Sequence, residues 1–170
     1  MIIFQYTGVL ILIKSINETD LPDCLNIFHQ GYETVAVEFG LTDDNCPDRG
    51  RANLPIEKLI SDYKNGKMMF GYYLNDKIVG FLGMKMSNDM VCKLDDIIII
   101  PEHRHKGYGT ELLIFCKQKA KKLGATKVTL GMIDDNKILR KWYEDNGFCN
   151  IGYKKYDGAP FTVGNMECAL

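Results

Sequence analysis

Apolar residues recur along the chain with two different periods, and each change of period marks the edge of an element. Val9–Lys14 is an apolar run of strand length, preceded by an equally apolar Met1–Gly8 to which the pattern assigns no role. Asn17, Glu18, Thr19 and Asp20 offer helix caps. Leu25, Phe28, Tyr32, Val35 and Phe39 follow at intervals of three and four, which predicts an amphipathic helix over Leu21–Phe39 with a candidate break at Gly31. No period survives in Gly40–Pro55, a long loop crowded with Asp, Asn, Pro and Gly, and Leu54–Lys64 reads as a short helix.

From Lys67 the period shortens. Met68–Leu74, Ile78–Met86 and Met90–Ile100, separated by turns at Asn75-Asp76-Lys77 and Ser87-Asn88-Asp89, predict an antiparallel meander. Its last strand ends in Ile97–Ile100, a run too apolar for a strand with one wet face, so an interior strand covered on both sides is expected. Pro101 ends it. After a turn over Glu102–Gly109, a helix from Thr110 places Leu112, Leu113, Cys116, Ala120 and Leu123 on one side and Lys117, Gln118, Lys121 and Lys122 on the other, until Gly124. Lys127–Ile133 is the next strand, reached by a helical crossover and therefore parallel to the one before. Asp134-Asp135-Asn136 caps a helix over Lys137–Asp145, Asn146-Gly147 ends it, and Phe148–Tyr156 with Phe161–Ala169 form a closing hairpin. Strands and helices mixed in this order belong to the α/β (α+β) class.

A length of 170 residues with 46% hydrophobic composition suits one compact domain over residues 1–170. Lys and Arg total 21 against 22 Asp and Glu, a net charge of -1, so the overall field draws in neither nucleic acid nor an anionic membrane. Any anion site must be local. Cys24, Cys46, Cys92, Cys116, Cys149 and Cys168 form no Cys-x-x-Cys pair and no metal-ligand spacing with His29, His103 or His105, so no metal is expected, and a reducing cytoplasm is the expected location. Met1–Ile13 lacks the basic start and cleavage site of a secretion signal and is too short to span a bilayer.

The turn after the isoleucine strand carries candidate chemistry. Arg104-His105-Lys106-Gly107-Tyr108-Gly109-Thr110 sets two glycines where the backbone turns into a helix whose first amides lack partners and whose dipole is positive there, a place for phosphate oxygens. Two familiar phosphate loops do not fit. The dinucleotide fingerprint needs a glycine where Leu112 stands, and the nucleotide-triphosphatase loop needs Gly-Lys-Ser/Thr.

Arg104-x-x-Gly107-x-Gly109, directly after a strand ending in Pro101-Glu102, resembles the acyl-CoA loop of the GNAT superfamily of acyl-CoA-dependent N-acyltransferases. A second stretch, Asn136-x-x-Leu139-x-x-Trp142-Tyr143-Glu144-x-x-Gly147-Phe148, is similar to that family's second signature, with Leu139 where a smaller residue is commoner. The likeness is strongest from Lys67 to Phe148. It implies a mostly antiparallel sheet of about seven strands flanked by helices, with a splayed parallel pair at the acyl-CoA site whose unpaired main-chain groups bond the cofactor.

By the same resemblance, residues Arg104 to Thr110 hold the pyrophosphate of acetyl-CoA, Ile98, Ile99 and Ile100 lend backbone groups to the pantetheine arm, and Asn136 hydrogen-bonds it. Tyr143 would protonate the departing thiolate, while an amine attacks the thioester directly with both substrates bound. An alkylamine with pKa near ~10.4 must lose a proton first, at a cost of roughly 4.6 kcal/mol at neutral pH, so a base is needed. Asp95 and Asp96, two carboxylates in an apolar strand, are the candidates. Strand alternation lets only one reach a given substrate, and an ion pair with Lys93 or a loop arginine is the alternative role. Glu33 is a weaker candidate. No cysteine has a His partner for a covalent route.

The implied activity is acetyl transfer from acetyl-CoA to a small amine or peptide. An acyl-CoA-binding sensor without turnover is the alternative. Glu33, Glu38, Asp43, Asp44 and Asp48, set against Arg49 and Arg51, read as a solvated acidic face or as an attractor for a cationic acceptor. The carboxyl-terminal strands offer an edge for a homodimer.

Overall fold

The computed structural model describes residues 2–6 and 9–170, with side chains described from residue 10 onward. Its centre is one eight-stranded sheet in the order β1-β2-β3-β4-β5-β6-β8-β7. The strands are β1 (Ile2–Tyr6), β2 (Val9–Ser15), β3 (Met68–Leu74), β4 (Lys77–Met86), β5 (Val91–Ile99), β6 (Lys127–Ile133), β7 (Cys149–Lys155) and β8 (Thr162–Ala169). Among the described residues four α-helices accompany them: α1 (Leu21–Glu38), α2 (Ile56–Lys64), α3 (Tyr108–Lys122) and α4 (Lys137–Asp145). All pairings are antiparallel except β5 with β6.

The strand beyond the expected seven comes from the unassigned apolar start: Ile2–Tyr6 pairs with β2 as the first edge strand, while Met1, Thr7 and Gly8 of that stretch lie outside the described residues. The other edge is β7, because β8 inserts between it and β6. The meander follows its sequence signals closely. Asn75 and Asp76, both at positive φ, make a two-residue connection between Leu74 and Lys77, the geometry that matches strand twist.

Each face of the sheet is covered. On one, Leu112, Leu113, Phe115, Cys116 and Ala120 of α3 pack with Tyr143 of α4 against Tyr72, Leu82, Met84, Leu94 and Val128. On the other, α1 and α2 close over Phe81, Met69 and Ile98. The isoleucine strand is therefore interior, as its composition predicts. Leu123, expected on the inner side of α3, is 43% exposed, and Phe115 takes part in the core instead, edge-on to Phe70 at 4.8 Å. The helix also starts earlier than expected, at Tyr108.

Gly31 does not break α1. Its hydrogen atom faces Ile98 of β5, and a Cβ there would lie 2.3 Å from Ile98 Cγ2. The buried line of α1 accordingly runs through Leu21, Cys24, Ile27, Phe28 and Gly31, rotated from the stripe that larger apolar residues suggested. A glycine is the contact, so hydrophobicity alone misreads it.

Parallel pairing of β5 and β6 stops early. Only Val91–Lys93 is in register with Lys127–Thr129. Beyond that, β5 stays bonded to β4 through Ile99, and β6 stays bonded to β8 through Ile133. The two strands diverge, leaving a wedge in the sheet.

Candidate active site

The wedge is lined by main-chain groups. Ile100 N–H bonds the Val79 carbonyl of β4 at 3.0 Å, so alternation along an antiparallel ladder turns Ile98 toward β4 and sends the N–H and C=O of Ile97 and the N–H of Ile99 into the wedge, the Ile99 carbonyl being taken by Arg104. Of the three isoleucines expected to offer backbone groups, only Ile99 faces the gap. Ile97 joins it there, a position missed because the motif does not specify strand phase.

Past the strand, Pro101–His103 form a single 3-10 turn and the chain enters the glycine loop. His105 and Gly107 both adopt left-handed backbone, φ 60 and +87, which curls successive amides toward one concavity. Gly107 is the N-cap of α3, and the amides of Tyr108, Gly109 and Thr110 begin the helix without a carbonyl one turn back. Lys106, exposed, donates to the Glu102 carbonyl at 2.9 Å. Tyr108 lies against Tyr72 at 4.9 Å, and Tyr72 is tied to Glu111 at 2.6 Å.

Arg104 is placed differently from expectation. Its Nε donates to the Ile99 carbonyl at 3.0 Å, Nη1 to Thr34 Oγ1 at 2.9 Å and Nη2 to the Gly31 carbonyl at 2.9 Å. The guanidinium is a brace between loop, β5 and α1. Its planar fork satisfies acceptors on two elements at once.

The second signature is built around one side chain. Asn136 caps α4, its Oδ1 accepting from Leu139 N at 2.9 Å, which leaves the amide NH2 for another partner. At the other end, Phe148 N–H bonds the Tyr143 carbonyl at 3.0 Å and Gly147 N–H bonds the Glu144 carbonyl at 2.9 Å, with Gly147 at φ +85. This is a Schellman ending, whose usual hydrophobic contact is the Phe148 ring on Tyr143, centroids 5.4 Å apart. The Gly-Phe pair thus fixes Tyr143. Trp142 Nε1 reaches Thr110 Oγ1 at 3.4 Å, joining α4 to the first turn of α3.

Tyr143 is buried, 5% exposed. Burial, then the neighbouring Cys116 and Asp96, push its pKa well above the ordinary phenol range, so its hydroxyl stays protonated at neutral pH. No hydrogen bond to a described residue holds that hydroxyl. Tyr143 shares one core cluster with Leu94, Ile97 and Ile99, which sets α4 beside β5.

Strict alternation fails at the two aspartates. Gly83 pairs with Asp96 but Met84 pairs with Leu94, so Asp95 is the extra residue of a β-bulge and both carboxylates turn toward Lys67. Asp96 is 2% exposed; its Oδ2 accepts from Lys67 at 2.6 Å, and its Oδ1 from Tyr32 at 3.1 Å and from Arg51. Gly83 makes room for this, since a Cβ would lie 2.8 Å from Lys67 Cε and 2.9 Å from Asp96 Oδ2. Asp95 is more accessible, bonded to Lys93 at 2.8 Å and 3.6 Å from Lys67. Burial and the adjacent Asp96 raise the pKa of Tyr32. Burial opposes the charge on Arg51, but Asp96 outweighs it and the pKa is raised.

Arg51 comes from the long loop, where Asp48, Arg49, Gly50 and Arg51 all have positive φ. Non-glycine residues rarely accept this, and here two ion pairs hold them: Arg49 forks onto Glu33 at 3.0 Å through both nitrogens, and Arg51 meets Asp96. Leu41, Cys46 and Ala52 pack with Ala36 beneath. Glu33 is thereby engaged by arginine, and the loop lays cationic groups over the sheet. Lys67 and Tyr32 carried no distinguishing signal in the sequence.

The model of the acetyltransferase (GNAT) family matches residues 32–148. The chain belongs to the GNAT acetyltransferase family. No curated protein matches the sequence. Among solved structures, the ribosomal-protein-S18-alanine N-acetyltransferase of Escherichia coli is similar over 94% of this chain and 93% of its own, with TM-score 0.75 and 18% identity. The PaiA N-acetyltransferase of Thermoplasma acidophilum, solved with coenzyme A, is similar over 94% and 99%, with TM-score 0.72 and 19% identity. Nourseothricin acetyltransferase matches 62% of this chain and 66% of its own at 25% identity, with TM-score 0.58. For this GNAT chain, no helix among the described residues is long and apolar enough to cross a membrane.

Proposed function

We propose that this GNAT protein transfers an acetyl group from acetyl-CoA to an amine by direct attack within a ternary complex. The observation that carries the reading is the wedge: Ile97 and Ile99 backbone groups, the α3 amides and the buried, protonated Tyr143 converge where β5 and β6 part. The α3 amides and the amides of His105 to Gly107 hold the pyrophosphate. The wedge backbone and Asn136 take the pantetheine amides, which replace the missing strand. As the amine nitrogen bonds the acyl carbon, the carbon–sulfur bond breaks and Tyr143 gives its proton to the thiolate. Asp95 takes the proton lost by the amine. Asp96, whose oxygens are occupied by Lys67, Arg51 and Tyr32, positions the bulge that presents Asp95.

The test is calorimetric titration with acetyl-CoA of the wild type and Gly107→Glu, with free NAD and ATP as controls, followed by coenzyme A release in the presence of amines. Binding that the loop variant loses, and turnover that Tyr143→Phe slows without loss of binding, is expected. Failure to bind acetyl-CoA or any longer acyl-CoA would overturn the reading, and binding without turnover of any amine would favour a sensor.

A further inference from the structure

Beside the bulge lies a pocket of about 280 Å³ lined by Arg51, Lys58, Asp62, Asn65, Lys67, Lys85, Lys93 and Asp95. It opens on the face covered by α1 and α2, and Asp95, the base proposed above, stands in its wall. Cations outnumber carboxylates among its walls, and counting the buried Asp96 beneath still leaves an excess of positive charge. Nothing in the composition requires this, since the chain as a whole has a net charge of -1.

An independent feature points the same way. Lys85 of β4 and Lys93 of β5 are directly opposed in the antiparallel register, so both ammonium groups rise from the same face of the sheet. Like charges in opposed positions destabilise a strand pair unless an anion sits between them. Lys93 has Asp95 at 2.8 Å, whereas Lys85 has no carboxylate partner among the described residues. The remaining carboxylates are already shared: Asp62 with Lys58 at 3.0 Å and with Lys67 at 3.5 Å, and Asp96 with Lys67 and Arg51. Lys85, exposed at the rim, is thus left free to meet an anion arriving from solvent.

We infer that this pocket receives an oxyanion group of the acceptor, so that the amine acetylated by this enzyme belongs to a small molecule that also carries a carboxylate or phosphate. Lys85 and Lys93 grip the oxyanion, and the ammonium end is directed to Asp95, which loses contact with Lys93 as the anion arrives and is freed to take the amine proton. Cationic acceptors such as polyamines are disfavoured by the same field. The inference rests on the acetyltransferase reading, and its test keeps the two apart.

With coenzyme A saturating, so that the pyrophosphate loop is filled, inorganic phosphate and N-acetylglycine are titrated calorimetrically into the wild type and the Lys85→Gln/Lys93→Gln double variant. Both anions should bind the wild type, with affinity falling about tenfold or more in the variant while affinity for acetyl-CoA is kept. In parallel, coenzyme A release is measured with matched acceptors: amino acids against their decarboxylated amines, and phosphoethanolamine against ethanolamine. The anionic member of a pair should be preferred at least tenfold in kcat/KM, and the variant should lose that preference through KM. The pair that wins identifies carboxylate or phosphate. Equal anion binding by wild type and variant, preference for the uncharged or polycationic amine, or preference for an unmodified peptide amino terminus over any small anionic amine overturns the inference. Loss of acetyl-CoA binding in the wild type would instead fail the acetyltransferase reading and leave the anion titration to decide the pocket by itself.

Discussion

Lys67 Nζ lies 2.6 Å from Asp96 Oδ2, with both side chains withdrawn from solvent at the point where β5 leaves β6. A buried ion pair contributes little net stability, because desolvation offsets the attraction, yet breaking one leaves a stranded charge. Lys67→Met should therefore cost about 3 kcal/mol in urea unfolding, whereas replacing the whole cluster, Lys67→Met with Asp96→Leu and Arg51→Met, should recover a large part of it, since Asp96→Leu alone would strand Arg51. Equal losses in the single and triple variants would show that the cluster does not carry the energy.

Tyr143→Phe removes a proton donor without changing the packing on Trp142 and Phe148, at 4.8 and 5.4 Å. We expect kcat to fall about 10²-fold, the low end for a general acid because a thiolate leaves readily, with calorimetric affinity for acetyl-CoA unchanged. A variant with wild-type kcat would exclude the role.

Stability should fall at high pH. Burial raises the pKa of Tyr32, Tyr72 and Tyr143 well above the ordinary phenol range, and that of Tyr73 to about 12. The unfolded chain ionises near ~10, so above that pH it binds fewer protons than the native state and unfolding is favoured. Denaturant midpoints should show no loss from these tyrosines below that pH and a progressive loss above it. Tyr143→Phe should shallow the slope.

Gly31→Ala distinguishes packing from helix propensity. In an exposed helix the change would stabilise by about 1 kcal/mol. Here the new Cβ would lie 2.3 Å from Ile98 Cγ2, so we expect destabilisation by about 1–3 kcal/mol, read as a lowered Tm.

Arg104→Lys keeps the charge and loses the fork that joins Ile99, Thr34 and Gly31. The glycine loop then has fewer anchors, and acetyl-CoA affinity should drop about tenfold with little change in kcat at saturation. A fall in affinity no larger than that of an exposed lysine variant, such as Lys106→Gln, would show that Arg104 does not position the loop.

The meander, the isoleucine strand, the glycine loop and both signatures were legible in the sequence because each rests on local chemistry: alternation, turn residues, caps and the unpaired amides of a helix start. Gly147-Phe148 is such a case, since a Schellman ending needs only neighbours in the chain. What sequence by itself determined is therefore the order of the elements from Val9 onward, the family likeness and the glycine loop that opens α3. Tertiary structure decided what depends on partners far along the chain. Arg104 turns from anion binder to brace because Gly31 and Thr34 arrive from α1. Asp95 and Asp96 share a lysine because a bulge, invisible to a period of two, inserts one residue opposite Gly83 and Met84. The cationic pocket exists only because α2, β4, β5 and a left-handed loop converge, and no local rule relates Lys85 to Lys93 until the register does.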